Sequence, residues 1–143
     1  MVGSAHFKEL TGPQLGQMQN RLGLITEDKN GHRVLNSEKF LELTKLSNAQ
    51  AEQYTGKPRQ AFYKSAIPLK PSNKLTERII ALVTATDIAY ELFSGNPQET
   101  ANWMMAPNAL LFGTTPFEVC MRGDARPLIE WLLDRAGQKI IGR

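Results

Sequence analysis

Apolar residues recur at spacings of three and four along most of the chain, the pattern of amphipathic helices. Leu15, Met18 and Leu22 follow it across a short helix expected from Pro13 to Leu22. Phe40, Leu43 and Leu46 follow it across a helix that Ser37 caps, with Glu38 in its first turn. The longest helix is expected from Leu75 to Phe93, roughly 30 Å at the helical rise per residue. Ser72 or Asn73 caps it and Gly95 ends it. Its stripe of Leu75, Ile79, Leu82, Val83, Thr86, Tyr90 and Phe93 is widened by Ile80, Ile88, Ala89 and Leu92. A stripe wider than one face implies burial on more than one side. This helix either bridges two halves of the protein or packs on its copy in a homodimer.

Polar stretches punctuate these segments. Met1 to Thr11 show no periodicity and read as a mobile start. Thr26 to Gly31 reads as a turn, Asn30-Gly31 being its strongest signal. Ser47 caps a short helix from Asn48 to Thr55, broken by Gly56, and Pro58 opens another through Ala66, ended by Pro68. Two short helices about a Gly turn form the helix-turn-helix pattern, whose second helix enters the DNA major groove. The residues placed to meet DNA are Lys57, Arg59, Gln60, Tyr63 and Lys64, of types suited to base edges and phosphates. One position departs from the pattern: Glu52 stands where a small residue is usual, with Ala51 one place earlier. An ordinary helical hairpin with a basic exterior is the alternative, and DNA binding stands modestly ahead of it.

The segment from Asn96 to Gly137 is the densest in helix punctuation. Asn96 caps a helix beginning at Pro97; Thr115 caps the next, with Pro116 first and Glu118 completing a capping box. Asp124 after Gly123 starts a third, and Gly137 sits where a C-terminal cap would fall. Trp103, Leu110, Leu111, Phe112, Val119, Leu128, Trp131 and Leu132 are available for its core. The fold class expected is all-α: a helix-turn-helix-like N-terminal half over residues 1–72, then a C-terminal unit over residues 73–143. That second unit comprises the long connecting helix and a compact bundle of short ones.

The order of residues in this segment resembles the toxin-binding domain of Xre/MbcA/ParS-type antitoxins. The features are a Trp ending a short helix (Trp103), Pro107-Asn108, an aliphatic residue before Gly113, Pro116, an acidic-aliphatic helix, Gly123-Asp124 and a helix reaching Gly137. Met104 follows the Trp where the family usually has Leu. The resemblance covers about a third of the chain and implies an antitoxin without catalytic activity of its own. Its partner would be a RES-domain toxin, an enzyme that consumes NAD or transfers from it. Met104, Met105, Asn108 and Phe112 are the expected partner surface, since Met and aromatic side chains concentrate at interface centres. The end of the chain, Lys139, Ile140, Ile141 and Arg143, carries two adjacent Ile residues that need burial. They can pack on the chain's own core. The resemblance favours docking in the toxin, with the tail covering its active-site entrance.

Composition adds limits. With 143 residues, 41% hydrophobic and 22% charged, the chain suits one globular core or two small units sharing one. No apolar run is long enough to span a membrane and no secretory signal is visible, so a cytoplasmic location is expected. The net charge of +3 is uneven: Lys57 to Arg78 hold six basic residues against Glu77, whereas charges from Asn96 onward cancel. The basic stretch suits operator DNA.

Catalytic chemistry finds no support. His6 and His32 lack neighbours at metal-ligand spacing, Gly12 to Gly16 lacks the Lys of a phosphate loop, and Glu27-Asp28 sits in a polar turn. The lone Cys120, between Val119 and Met121, reads as a buried residue. No catalytic residue, metal or cofactor is expected. Two rival functions stand beside the antitoxin: a stand-alone helical DNA-binding transcription regulator with no toxin, and a small helical adaptor whose basic patch has no DNA role.

Overall fold

The computed structural model describes residues 19–64 and 66–141, and the side chains of those up to 137. The expected start from Met1 to Thr11 lies outside the described residues. So do His6, the glycines from Gly12 to Gly16, most of the helix expected from Pro13, and Arg143.

The polar stretch read as a turn is the tip of a β-hairpin. Strand β1 (Ile25–Glu27) pairs antiparallel with β2 (Arg33–Leu35), Ile25 opposite Leu35. Strand β3 (Ile67–Pro68) adds to the other edge of β2, giving the order β1-β2-β3. Asp28 builds the turn: its carboxylate accepts the N–H groups of Asn30 and His32, each at 2.9 Å. These bonds, led by that from His32, hold its carboxyl below the ordinary range. The N-terminal half is therefore not purely helical. Gln19 to Leu22 are also not helical, and Asn20 has a φ of 50°. The Asp87 carboxylate accepts the N–H groups of Asn20 and Arg21, each at 2.8 Å, which fixes this segment.

Helix α1 (Ser37–Thr44) is capped by Asn36 rather than Ser37, whose hydroxyl donates to the Lys64 carbonyl instead. It ends at Lys45, in a left-handed conformation, so Leu46 falls outside it. Helix α2 (Asn48–Thr55) has the expected ends: Ser47 and Gln50 form a capping box, and Gly56 takes a φ of 73°.

The helix expected from Pro58 to Ala66 does not form. A 3₁₀ turn, Arg59–Tyr63, occupies its place, and Lys64 is extended at φ −93°, ψ 151°. The chain must straighten here because Ile67 joins the sheet opposite Leu35. A short helix with few contacts yields to that pairing.

Helix α3 (Lys74–Leu92) is capped by Asn73, whose side chain accepts the Leu75 N–H, and stops before Ser94 and Gly95. It is the axis of the molecule. Helices α4 (Pro97–Met104), α5 (Pro116–Met121) and α6 (Arg126–Ile141) pack on it. Leu75, Ile79, Leu82, Val83, Ala85 and Ala89 are buried, whereas Ile88, Tyr90, Leu92 and Phe93 toward its end are half-buried, so its own chain covers most of the wide apolar stripe. Phe40 bridges to Phe62 at 6.1 Å and to Phe117 at 5.9 Å, and Tyr54 meets Phe117 edge-on at 5.0 Å. These rings carry one hydrophobic core from the N-terminal elements into α5. The molecule is mostly helical, with one small sheet.

Asn96 and Thr115 cap α4 and α5 as expected, and Thr115 shares its capping box with Glu118. Gly137 does not stop α6, which continues to Ile141. Glycine costs about 1 kcal/mol in a helix relative to alanine, too little to end one by itself.

Candidate partner-binding surface

Between α4 and α5 the chain makes a small closed loop. Asn108 organises it: its side-chain oxygen accepts the Leu110 N–H at 2.9 Å, and its carbonyl accepts those of Leu111 and Gly113, also at 2.9 Å. Its own N–H donates to the Thr114 carbonyl at 2.9 Å, and the Thr114 hydroxyl donates back to Leu111. Inside this clamp Ala109–Leu111 form a 3₁₀ turn, followed by Phe112 and Gly113 at φ values of 56° and 88°.

Phe112 is 98% exposed and Leu110 62% exposed, so neither joins the core they were available for. A left-handed conformation costs a non-glycine residue about 1 kcal/mol or more, and here no packing of the ring offsets it. A strained, exposed aromatic residue on a hydrogen-bonded loop is suited to insert into another surface. Asn108 acts as the frame of this loop.

The remaining expected partner residues fall differently. Met104 is completely buried and belongs to the core, because it lies on the face of α4 that meets α3. Met105, the next residue, is half-buried. The backbone of Lys139, Ile140 and Ile141 is helical as the last turn of α6 rather than a free tail, while Arg143 lies outside the described residues.

Both tryptophans are half-buried and stack on each other, with ring centroids 6.3 Å apart and planes within 7°. Phe93 meets Trp103 on one side, and the Arg135 guanidinium lies 5.0 Å from the Trp131 ring on the other. This column fixes α6 against α4 and the end of α3.

On the N-terminal half, Arg59, Gln60, Tyr63 and Lys64 are exposed and Lys57 is half-buried. Tyr63 is 78% exposed. They lie on or beside the 3₁₀ turn, not on a recognition helix. Arg59 pairs with Glu52 at 3.2 Å, the residue that departs from the helix-turn-helix pattern.

Cys120 is buried, and burial pushes its thiol up to about 12. No group of three or more His, Cys, Asp or Glu among the described residues could hold a metal ion. None of the described helices is long and apolar enough to cross a membrane.

These features place the chain among small helical proteins with a framed, exposed apolar loop. Residues 89–137 match the family model described as the antitoxin Xre/MbcA/ParS C-terminal toxin-binding domain, in agreement with the resemblance carried by Trp103, Gly113 and Gly123-Asp124. The match begins in the last turn of α3 and ends at Gly137, so it takes in the tryptophan column and the Asn108 loop. No curated protein and no solved structure matches the chain.

Proposed function

We propose that this protein is a non-enzymatic antitoxin that neutralises a RES-domain, NAD-consuming toxin by binding it through the C-terminal region, residues 73–143. The observation that carries this reading is Phe112. It is almost wholly exposed, conformationally strained, and framed by a loop inside the matched segment. Leu110 and Met105 extend its apolar surface, and the last turn of α6, with Lys139, Ile140 and Ile141, covers the toxin's active-site entrance. Occupation of the entrance excludes NAD, with no chemical step on the antitoxin.

The test is co-expression with the product of the adjacent gene and purification through a tag on one partner. A stable complex with silent NAD consumption supports the reading. Failure to form one removes it and leaves the stand-alone regulator as the alternative.

Operator binding belongs to the same proposal through Lys57, Arg59, Gln60, Tyr63 and Lys64. Their position on a 3₁₀ turn suits phosphate contacts better than groove reading, so affinity for promoter DNA should fall steeply with salt and discriminate sequence weakly. Most of α3 is covered by its own chain, which leaves a homodimer the half-buried end of that helix or another surface.

A further inference from the structure

A concave surface lies apart from the loop just described. The hairpin turn, the segment from Pro68 to Pro71, the first half of α3 and the α5–α6 junction enclose a cleft of about 1210 Å³. Small-molecule sites typically occupy roughly 300–1,000 Å³, so the cleft is ample for one. No residue of the Asn108–Thr114 loop lines it.

Its composition is two-part. Val34, Leu69, Ile80 and Ile129 are buried apolar residues along its walls. Around them stand five cationic side chains, Arg33, Lys70, Lys74, Arg78 and Arg126, against the carboxylates of Asp28 and Glu77. Arg126 already pairs with Glu130 at 3.8 Å, and Asp28 is engaged by its own turn. The start of α3 also faces the cleft, adding the positive end of a long helix dipole.

An independent feature points to a ligand. Thr76, only 3% exposed, lines the cleft, and its hydroxyl has no hydrogen-bond partner among the described residues. A buried unpaired hydroxyl costs about 1–3 kcal/mol, which a ligand oxygen would offset. The hydroxyl of Thr84, on the same wall, is satisfied by the Ile80 carbonyl at 2.8 Å. Thr76 is the exception.

We infer that this cleft binds a small amphipathic anion, a carboxylate or phosphate joined to an apolar body. The head lies among Lys70, Lys74 and Arg78 within reach of Thr76, and the body lies along Ile80 and Ile129. The charge balance selects the sign of the head, and the buried walls select an apolar body over a solvated polyanion.

The test uses the purified full-length protein and the amphipathic anion anilinonaphthalene sulfonate, followed by fluorescence. Decanoate, decyl phosphate and decyltrimethylammonium serve as competitors. The anionic competitors should displace the probe at roughly tenfold lower concentration than the cationic one. Preference for decanoate or for decyl phosphate identifies the head group, and either supports the site. The charge reversal Lys74→Glu with Arg78→Glu should weaken probe binding about tenfold or more while the melting temperature holds. Thr76→Val supplies a second readout: it should raise the melting temperature of the free protein and weaken binding of the anion. Equal competition by the cation, indifference to charge reversal, or no probe binding would overturn the inference. Displacement of the probe by short duplex DNA at matched phosphate concentration would also overturn it, assigning the rim to nucleic acid.

Discussion

The Tyr54 hydroxyl donates to Oε2 of Glu118 across 3.1 Å, tying α2 in the N-terminal half to α5 in the matched segment. The same carboxylate accepts the Thr115 N–H at 3.2 Å, so one side chain both caps α5 and holds the halves together. Glu118→Ala removes both contacts and should destabilise the protein by about 1–2 kcal/mol, with Tyr54→Phe costing less. The backbone bond from Thr115 holds the Glu118 carboxyl below its ordinary value of 4.5. Its contribution is thus present above that value and lost as pH falls through the lower folded one. The stability gap between wild type and Glu118→Ala, followed by chemical denaturation, should therefore narrow toward acid.

Asp87 should show the opposite signature. Burial, the largest influence, raises its carboxyl above the ordinary 3.8 even though the N–H groups of Arg21 and Asn20 pull it down. A carboxyl raised on folding binds protons more readily in the native state, so its contribution is complete below 3.8 and lost as pH rises through the folded value. Asp87→Asn keeps one acceptor for two N–H groups and should cost about 1–3 kcal/mol near neutral pH. That gap should widen as pH is lowered. Hydrogen exchange at Asn20 and Arg21 should quicken in the variant; unchanged exchange would show that the carboxylate does not hold this segment.

Cys120 tests the single core directly. Its sulfur is buried against α3, near the Ala81 carbonyl, and burial raises the thiol to about 12. The thiolate is the reactive form, so a maleimide reagent at mildly alkaline pH should label the native protein negligibly and the denatured protein fully. Labelling at the same rate in both states would mean that α5 opens readily from α3.

The parts of the fold legible in the sequence are those written locally. Ser47, Asn96 and Thr115 cap helices because their side chains reach N–H groups three residues on, and Gly56 ends α2 because only the local backbone angle matters there. The extent of α3 followed from its stripe. The sheet was not legible because its strands are two or three residues long and β3 meets β2 from thirty-odd residues away. That pairing also converts the expected second helix of the helix-turn-helix into a 3₁₀ turn. In the candidate partner surface, composition drew attention to Met104, Asn108 and Phe112 alike. It could not separate a buried methionine, a loop frame and an exposed ring, because that depends on which face of α4 meets α3 and on the sign of one φ angle. A Phe followed by Gly after a Pro-Asn turn was the one available signal, since paired left-handed residues favour Gly at one position.

Under the proposed antitoxin role, Phe112 sets function against stability. Its ring contributes almost no packing, and its φ of 56° is one that Asn adopts more readily than Phe. Phe112→Asn should therefore leave the fold intact and raise its stability by about 0.5–1 kcal/mol. Phe112→Gly should fall closer to neutral, because the relief of strain is offset by the greater freedom of glycine in the unfolded chain. Both variants should weaken toxin binding by about 2–4 kcal/mol, the loss typical of an aromatic anchor at an interface centre. Thermal unfolding and titration against the toxin separate the two effects. A variant more stable than wild type that binds the toxin as tightly would show that the ring is not the anchor, and the contact would have to be sought at the last turn of α6.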